Sequence, residues 1–258
     1  MSISGFDAQA AAAAVREAGA LALRPFEQGV EAWEKLPGQI LTQADIEVNE
    51  LLESRLKVDG DGWLSEESPP DPERLGACRV WIVDPVDGTR SFAKGKPEFA
   101  VSVALLMGGD LVWGAVFNPA REAWFEAHKG RGFERSPAEG DGETVLVSGR
   151  EAKEIVTACW PPDLRIKGVG SIAYRLAQVA SGRADAAVTF RRIADWDIAA
   201  ALVLLREAGI RVTDAFGHPV TVNAAEPYHR GLIAGTDVAH ARLREIVTQR
   251  RAGQAETS

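Results

Sequence analysis

Apolar positions recur at helical spacing over residues 7 to about 23, an alanine-rich stretch with Asp7 placed as N-cap. Pro25 marks its end or a kink, because a proline ring cannot continue the hydrogen-bond ladder. A second helix is predicted over 43–58, with Thr42 as cap and Val48, Leu52 and Leu56 four apart on one face. That puts Asp45 in the first turn, where a carboxylate complements the helix dipole. The pattern then changes to short apolar runs. Residues 79–83 are mostly β-branched or aromatic and read as a buried strand, stopped by Asp84-Pro85. Residues 99–107 and 111–117 form the arms of a hairpin around Gly108-Gly109-Asp110, and 122–127 and 132–135 continue the meander.

The polar, Gly- and Pro-bearing stretch 136–143 separates this half from one in which element types alternate. Strands are predicted at 145–147, 184–189, 210–213 and 232–234, and helices at 151–155, 171–180, 196–208 and 238–249. The fold class is therefore α/β in a layered α+β sense, with an antiparallel sheet first and a smaller α/β part second. The expected division is 1–140, a metal-binding half, and 141–258, a substrate-facing half.

Composition narrows the function classes. The chain has 258 residues, 46 % hydrophobic and 26 % charged, ordinary values for a globular protein. Its net charge of −8 opposes a nucleic-acid backbone, so no nucleic-acid partner is expected. Two cysteines, Cys78 and Cys159, suggest neither a disulfide framework nor a metal site, and four scattered histidines show no zinc spacing. With neither a leader pattern nor a long apolar run, a cytoplasmic location without a membrane partner is expected.

Candidate chemistry concentrates at 81–92, WIVDPVDGTRSF. Asp84 and Asp87 follow an apolar run, Asp87-Gly88 is turn chemistry, and a short helix starting at Thr89 is closed by Gly95. Carboxylates at a strand end hold hard cations, while free N–H groups of Gly88 and Thr89 face an anion. An isolated Asp-Gly is a common surface turn, but a second aspartate behind an apolar run is not needed for one. Glu66 and Glu67 follow another short apolar stretch, so pairing of that stretch with the 79–83 strand would bring Glu66 beside Asp84. Asp195-Trp196-Asp197 opens a helix, where one aspartate can cap and the other project.

Ser65-Glu66-Glu67, Asp84-Pro85-Val86-Asp87-Gly88-Thr89, Gly170-Ser171 before a helix, and Trp196-Asp197-Ile198-Ala199-Ala200 with Arg206-Glu207-Ala208-Gly209 together resemble the inositol monophosphatase superfamily. The resemblance implies an α-β-α-β-α sandwich and a magnesium-dependent, lithium-sensitive phosphomonoesterase, with a homodimer as one assembly. It implies Glu66, Asp84, Asp87, Asp197 and the Val86 carbonyl as metal ligands, Asp45 with Thr89 orienting a water, and Glu66 as a further catalytic group. Phosphate contacts would come from Gly88, Thr89, Asp87, Asp197, Gly170 and Ser171. Ser65-Glu66-Glu67 and Glu98-Phe99 look like the 3'(2'),5'-bisphosphate nucleotidase branch, whereas Tyr174 stands where that branch often has lysine. The stretch 170–185 is closer to inositol-1-phosphate phosphatases, and sugar or histidinol phosphates belong to the same range. A small phosphorylated metabolite is the expected partner, bound without turnover if the chain is a binding protein instead. Arg165, Lys167, Arg175, Arg191 and Arg192 are the candidate cations for a second phosphate.

Overall fold

The apolar runs of the first half are buried on both sides, which dictates layers. In the computed structural model, which describes residues 6–36, 39–133, 144–156 and 160–255, α1 (Ala8–Gln28) precedes a hairpin of β1 (Ala32–Leu36) and β2 (Gln39–Thr42), then α2 (Gln43–Leu56). The first large sheet comprises β3 (Gly62–Ser65), β4 (Arg79–Asp87), β5 (Ala100–Met107), β6 (Asp110–Asn118) and β7 (Ala123–His128), in that spatial order. Only β3 and β4 are parallel. The turn α3 (Thr89–Phe92) lies between β4 and β5.

The second part contributes β8 (Thr144–Val147), α4 (Gly149–Val156), β9 (Arg165–Gly168), α5 (Ile172–Ala180), β10 (Ala186–Ala194) and α6 (Asp195–Glu207). It ends with β11 (Arg211–Asp214), β12 (Tyr228–Gly235) and α7 (Asp237–Ala255). Its sheet runs β11-β12-β10-β8-β9, antiparallel on the β11 side of β10 and parallel on the other.

Alternation along each strand assigns residues to layers. Trp63, Trp81, Val83, Val101, Val103 and Leu105 pack with α1 and α2. Leu64, Val80, Ile82, Ala104 and Leu106 point the other way, into the core shared with α5, α6 and the second sheet. The outer face of that second sheet is covered by α7 through Leu243 and Val247. The resulting layers are α-β-α-β-α. Gly114 sets the central spacing, because a Cβ there would lie 2.6 Å from the Ala200 carbonyl on α6.

Four local expectations are corrected. Helix α1 continues through Pro25 to Gln28. Its last turn carries Phe26 to ring-centroid distances of 5.8 Å from Phe92 and 4.9 Å from Phe99, so packing outweighs the lost backbone bond. Strand β4 does not stop at Asp84-Pro85 but reaches Asp87 through a bulge. Asp84 faces Ser102 and Asp87 faces Ala100, so one extra residue accommodates the proline without a missing ladder donor. The cap of α6 is Ala194, with Asp195 and Asp197 both inside the first turn. Gly132 and Phe133 are not strand, and residues 134–143, which include the rest of that expected strand and the expected boundary, lie outside the described residues.

Candidate active site

The β4 bulge brings the acids together. Each of Glu66, Asp84 and Asp197 offers a carboxylate oxygen, and the three oxygens lie within 4.8 Å of one another. Glu66 arrives because β3 pairs in register with β4, Ser65 opposite Val83. Asp84 hangs from the bulge, where its Oδ1 accepts the Val86 N–H at 3.1 Å. Asp197 arrives from the first turn of α6, accepting the Ala194 N–H at 2.7 Å.

Asp87 adjoins this group and is anchored from α5. Its Oδ2 accepts the Ser171 hydroxyl and the Ala173 N–H, the latter at 2.6 Å, at the start of α5. Ser171 is fully buried and Gly170 approaches so closely that a Cβ would lie 2.7 Å from the Glu98 carbonyl. The Gly-Ser pair thus braces Asp87, the Ser171 hydroxyl proton being committed to that carboxylate. Gly88 turns with φ of 91°, and a Cβ there would also stand 2.7 Å from the Glu98 carbonyl. The Ser91 and Phe92 N–H groups close onto Gly88 O, leaving the Gly88 and Thr89 N–H groups ahead of the first closed turn.

Asp45 sits at the third position of α2, buried. Its Oδ2 accepts from the Thr42 N–H at 2.8 Å and the Thr42 hydroxyl at 2.5 Å, while its Oδ1 is 3.3 Å from Thr89 Oγ1. Thr89 Oγ1 also lies 2.9 Å from the Val86 carbonyl.

Charge is costly here. Burial, then the neighbouring Asp197 and other acids, pushes Glu66 up to about 9. Asp197 is raised to about 7 by burial and by Asp87, and Asp84 is raised well above the usual range by burial and Glu66. Asp45 rises to about 6 through burial, opposed by the hydrogen bonds from Thr42 and Thr89. Burial also raises Asp87, with the Ser171 hydrogen bond opposing. Protons or a cation must occupy such a cluster at neutral pH.

The cluster opens on a cleft of about 740 Å³ whose lining includes Glu66, Asp197, Trp196, the 69–72 turn, Arg192 and Tyr228. Of the five candidate cations, Arg192 alone lines it. Arg175 is buried, its Nε–H donating to the Ser171 carbonyl at 3.3 Å and its guanidinium 3.8 Å from Glu151. Arg191 pairs with Glu154 at 2.6 Å, and Arg165 and Lys167 lie on edge strand β9.

Sequence reasoning missed the support around Glu66. The Ser65 hydroxyl donates to Asn49 at 2.6 Å, Asn49 donates to Ser68 at 3.1 Å, and the Trp63 indole donates to Ser68 at 3.1 Å. Asn49 stands four residues after Asp45 on the same helix, so i,i+4 spacing carried a usable signal. Glu151, which accepts from Thr189, Phe190 and Ser148, was legible only as a helix start.

Comparison with known proteins places this geometry. The inositol monophosphatase family model matches residues 5–252. The chain is 33 % identical to an inositol-1-monophosphatase of Rhizobium meliloti, covering 91 % of this chain and 93 % of the relative. It is 34 % identical to a histidinol-phosphatase of Chlorobaculum parvum, over 79 % and 83 % of the two chains. An IMPase structure from Thermotoga maritima superimposes with a TM-score of 0.77 at 28 % identity, covering 92 % of this chain and 94 % of that one. An acidic cluster opening on a cleft, carried on this fold and matched over nearly the whole sequence, makes the chain a member of the inositol monophosphatase family, a family of phosphatases.

Proposed function

We propose that the chain hydrolyses a small phosphate monoester by attack of water, with Mg²⁺ as cofactor. The observation that carries this reading is the group of Glu66, Asp84 and Asp197 next to the Asp45–Thr89 pair. An all-oxygen, multiply acidic donor set fits a hard divalent cation, and the raised proton affinities are those of carboxylates lacking one. Glu66, Asp84 and Asp197 would hold it, with Asp87 and the Val86 carbonyl alongside. When bound, Mg²⁺ neutralises phosphoryl oxygens, acidifies water and stabilises a leaving alkoxide.

The chain's own groups supply the rest. Thr89 has one hydroxyl proton and two acceptors in reach, Asp45 and Val86 O. Donating it to Asp45 leaves the Thr89 lone pairs to orient a water, and burial, which raises Asp45 above the usual carboxylate range, makes Asp45 the better proton acceptor. The N–H groups of Gly88 and Thr89 hold the phosphate, while Ser171 fixes Asp87 beneath them.

Two ester classes have support. Ser65-Glu66-Glu67 favours a 3'(2'),5'-bisphosphate nucleotide, which we place first. The names of relatives favour inositol 1-phosphate or histidinol phosphate. Phosphate release from adenosine 3',5'-bisphosphate, inositol 1-phosphate and histidinol phosphate, with Mg²⁺ and with chelator, decides. Equal rates with and without chelator sink the metal-dependent reading; tight binding without any turnover supports a non-catalytic binder. Loss of turnover on adding Li⁺ is the expected companion result.

A further inference from the structure

Two arginines line the cleft among the described residues, and the fold uses them differently. Arg74 is buried and committed, its guanidinium donating to the Asn223 side chain and, at 2.9 Å, to the Ala224 carbonyl. Arg192 is exposed, and its Cζ lies 3.7 Å from the centroid of the Tyr228 ring. Stacking of this kind fixes the guanidinium plane while leaving its N–H donors at the edges. No hydrogen bond or ion pair to the Arg192 side chain occurs among the described residues, although Glu226 lines the same cleft.

The sheet prepares this arrangement. Ala194 faces Tyr228 and Arg192 faces Arg230 across the antiparallel β10–β12 pair, so Arg192 and Tyr228 are diagonal neighbours on one face. Trp196 meets the Tyr228 ring edge-on, with centroids 5.8 Å apart. Five positions beyond Arg192 the chain delivers Asp197 to the acidic cluster, so one strand and helix start serve both sites.

We infer that Arg192, held flat by Tyr228, binds a second anionic group on the alcohol part of the substrate. The preferred ester is then a phosphate monoester bearing another phosphate, rather than the phosphate of a neutral polyol. This rests on the phosphatase reading above and narrows its substrate class.

The test compares matched pairs that differ by one phosphate: adenosine 3',5'-bisphosphate with adenosine 3'-phosphate, and inositol 1,4-bisphosphate with inositol 1-phosphate. In the wild type, kcat/KM is expected to favour the bisphosphate about tenfold or more in at least one pair. Arg192→Ala should reduce that preference at least about tenfold, with Arg192→Lys restoring part of it as a point charge without the planar fork. Phosphate release without preference, or an equal loss on both members of each pair, overturns the inference and leaves the phosphatase reading standing. Should no ester be turned over, the phosphatase reading fails. Equilibrium binding of the same pairs in Ca²⁺ then decides the inference: unchanged bisphosphate affinity in Arg192→Ala overturns it, and a selective loss supports it.

Discussion

Two helix starts meet at the cluster, and each supplies an aspartate from its third position. Asp45 on α2 and Asp197 on α6 each accept the N–H of the residue three before. What else surrounds the carboxylate differs. Asp45 is given hydroxyls from Thr42 and Thr89, which lower its proton affinity against burial. Asp197 faces Asp87, Asp84 and Glu66, offset by the Ala194 N–H and by Arg175. A carboxylate furnished with hydroxyl donors is prepared to exchange a proton, and one furnished with other carboxylates is prepared to receive a cation.

The largest effect that tests this contrast is on turnover. Asp45→Asn should lower kcat by about 10²- to 10⁴-fold at saturating Mg²⁺, as loss of a proton acceptor does. Asp197→Asn should instead raise the Mg²⁺ concentration for half-maximal activity by at least the ~10–100-fold associated with weaker perturbations of metal sites. Magnesium titrations of both variants check this, and the same shift in half-saturation for both would erase the distinction.

A smaller effect is expected on stability in chelator. The folded-state proton affinities lie above ordinary carboxylate values, at about 6 for Asp45, about 7 for Asp197 and about 9 for Glu66. Their stabilising contribution is therefore complete below the unfolded values and is lost as pH rises through the folded ones. Tm in chelator should fall between about pH 5 and 9, by more than a few degrees, and Mg²⁺ should restore it most at the alkaline end. Asp197→Asn should flatten this slope more than Asp45→Asn. Melting curves that rise with pH in chelator would contradict the account.

The smallest effect falls on the hydroxyl that separates the two sites. Thr42→Ala removes a cap and one donor to Asp45, costing about 1 kcal/mol of stability. It should also move the acidic limb of the pH–rate profile upward, since Asp45 then holds its proton more tightly. An unmoved limb would show that Thr42 only caps the helix.

Much of this was legible in the sequence because it is local. Val48, Leu52 and Leu56 mark the buried face of α2, and Asp87-Gly88-Thr89 marks a turn entering a helix. The meeting of Glu66 with Asp84 followed from supposing that two short apolar stretches pair, and β3 does pair with β4. Long-range commitments were not legible. Ser171 binds Asp87 from 84 positions away, and Arg74 reaches Asn223 across 149, so neither spacing nor residue type disclosed them. The bulge at Pro85 escaped because proline usually ends a strand, whereas the extra residue allows this one to continue. Edge strand β9, with the sequence Arg-Ile-Lys-Gly, lacks any apolar run to announce it.

The origin of the three clustered acids has a mechanical consequence for the life of the molecule. Glu66 and Asp84 belong to neighbouring strands, but Asp197 enters from beyond about 110 residues of intervening chain. A cation held by all three is a reversible cross-link across that loop, comparable in reach to a disulfide but set by the surrounding concentration of free ion. Opening the core between α6 and the first sheet then requires releasing it, so the rate at which proteases find an opened chain becomes coupled to ion supply.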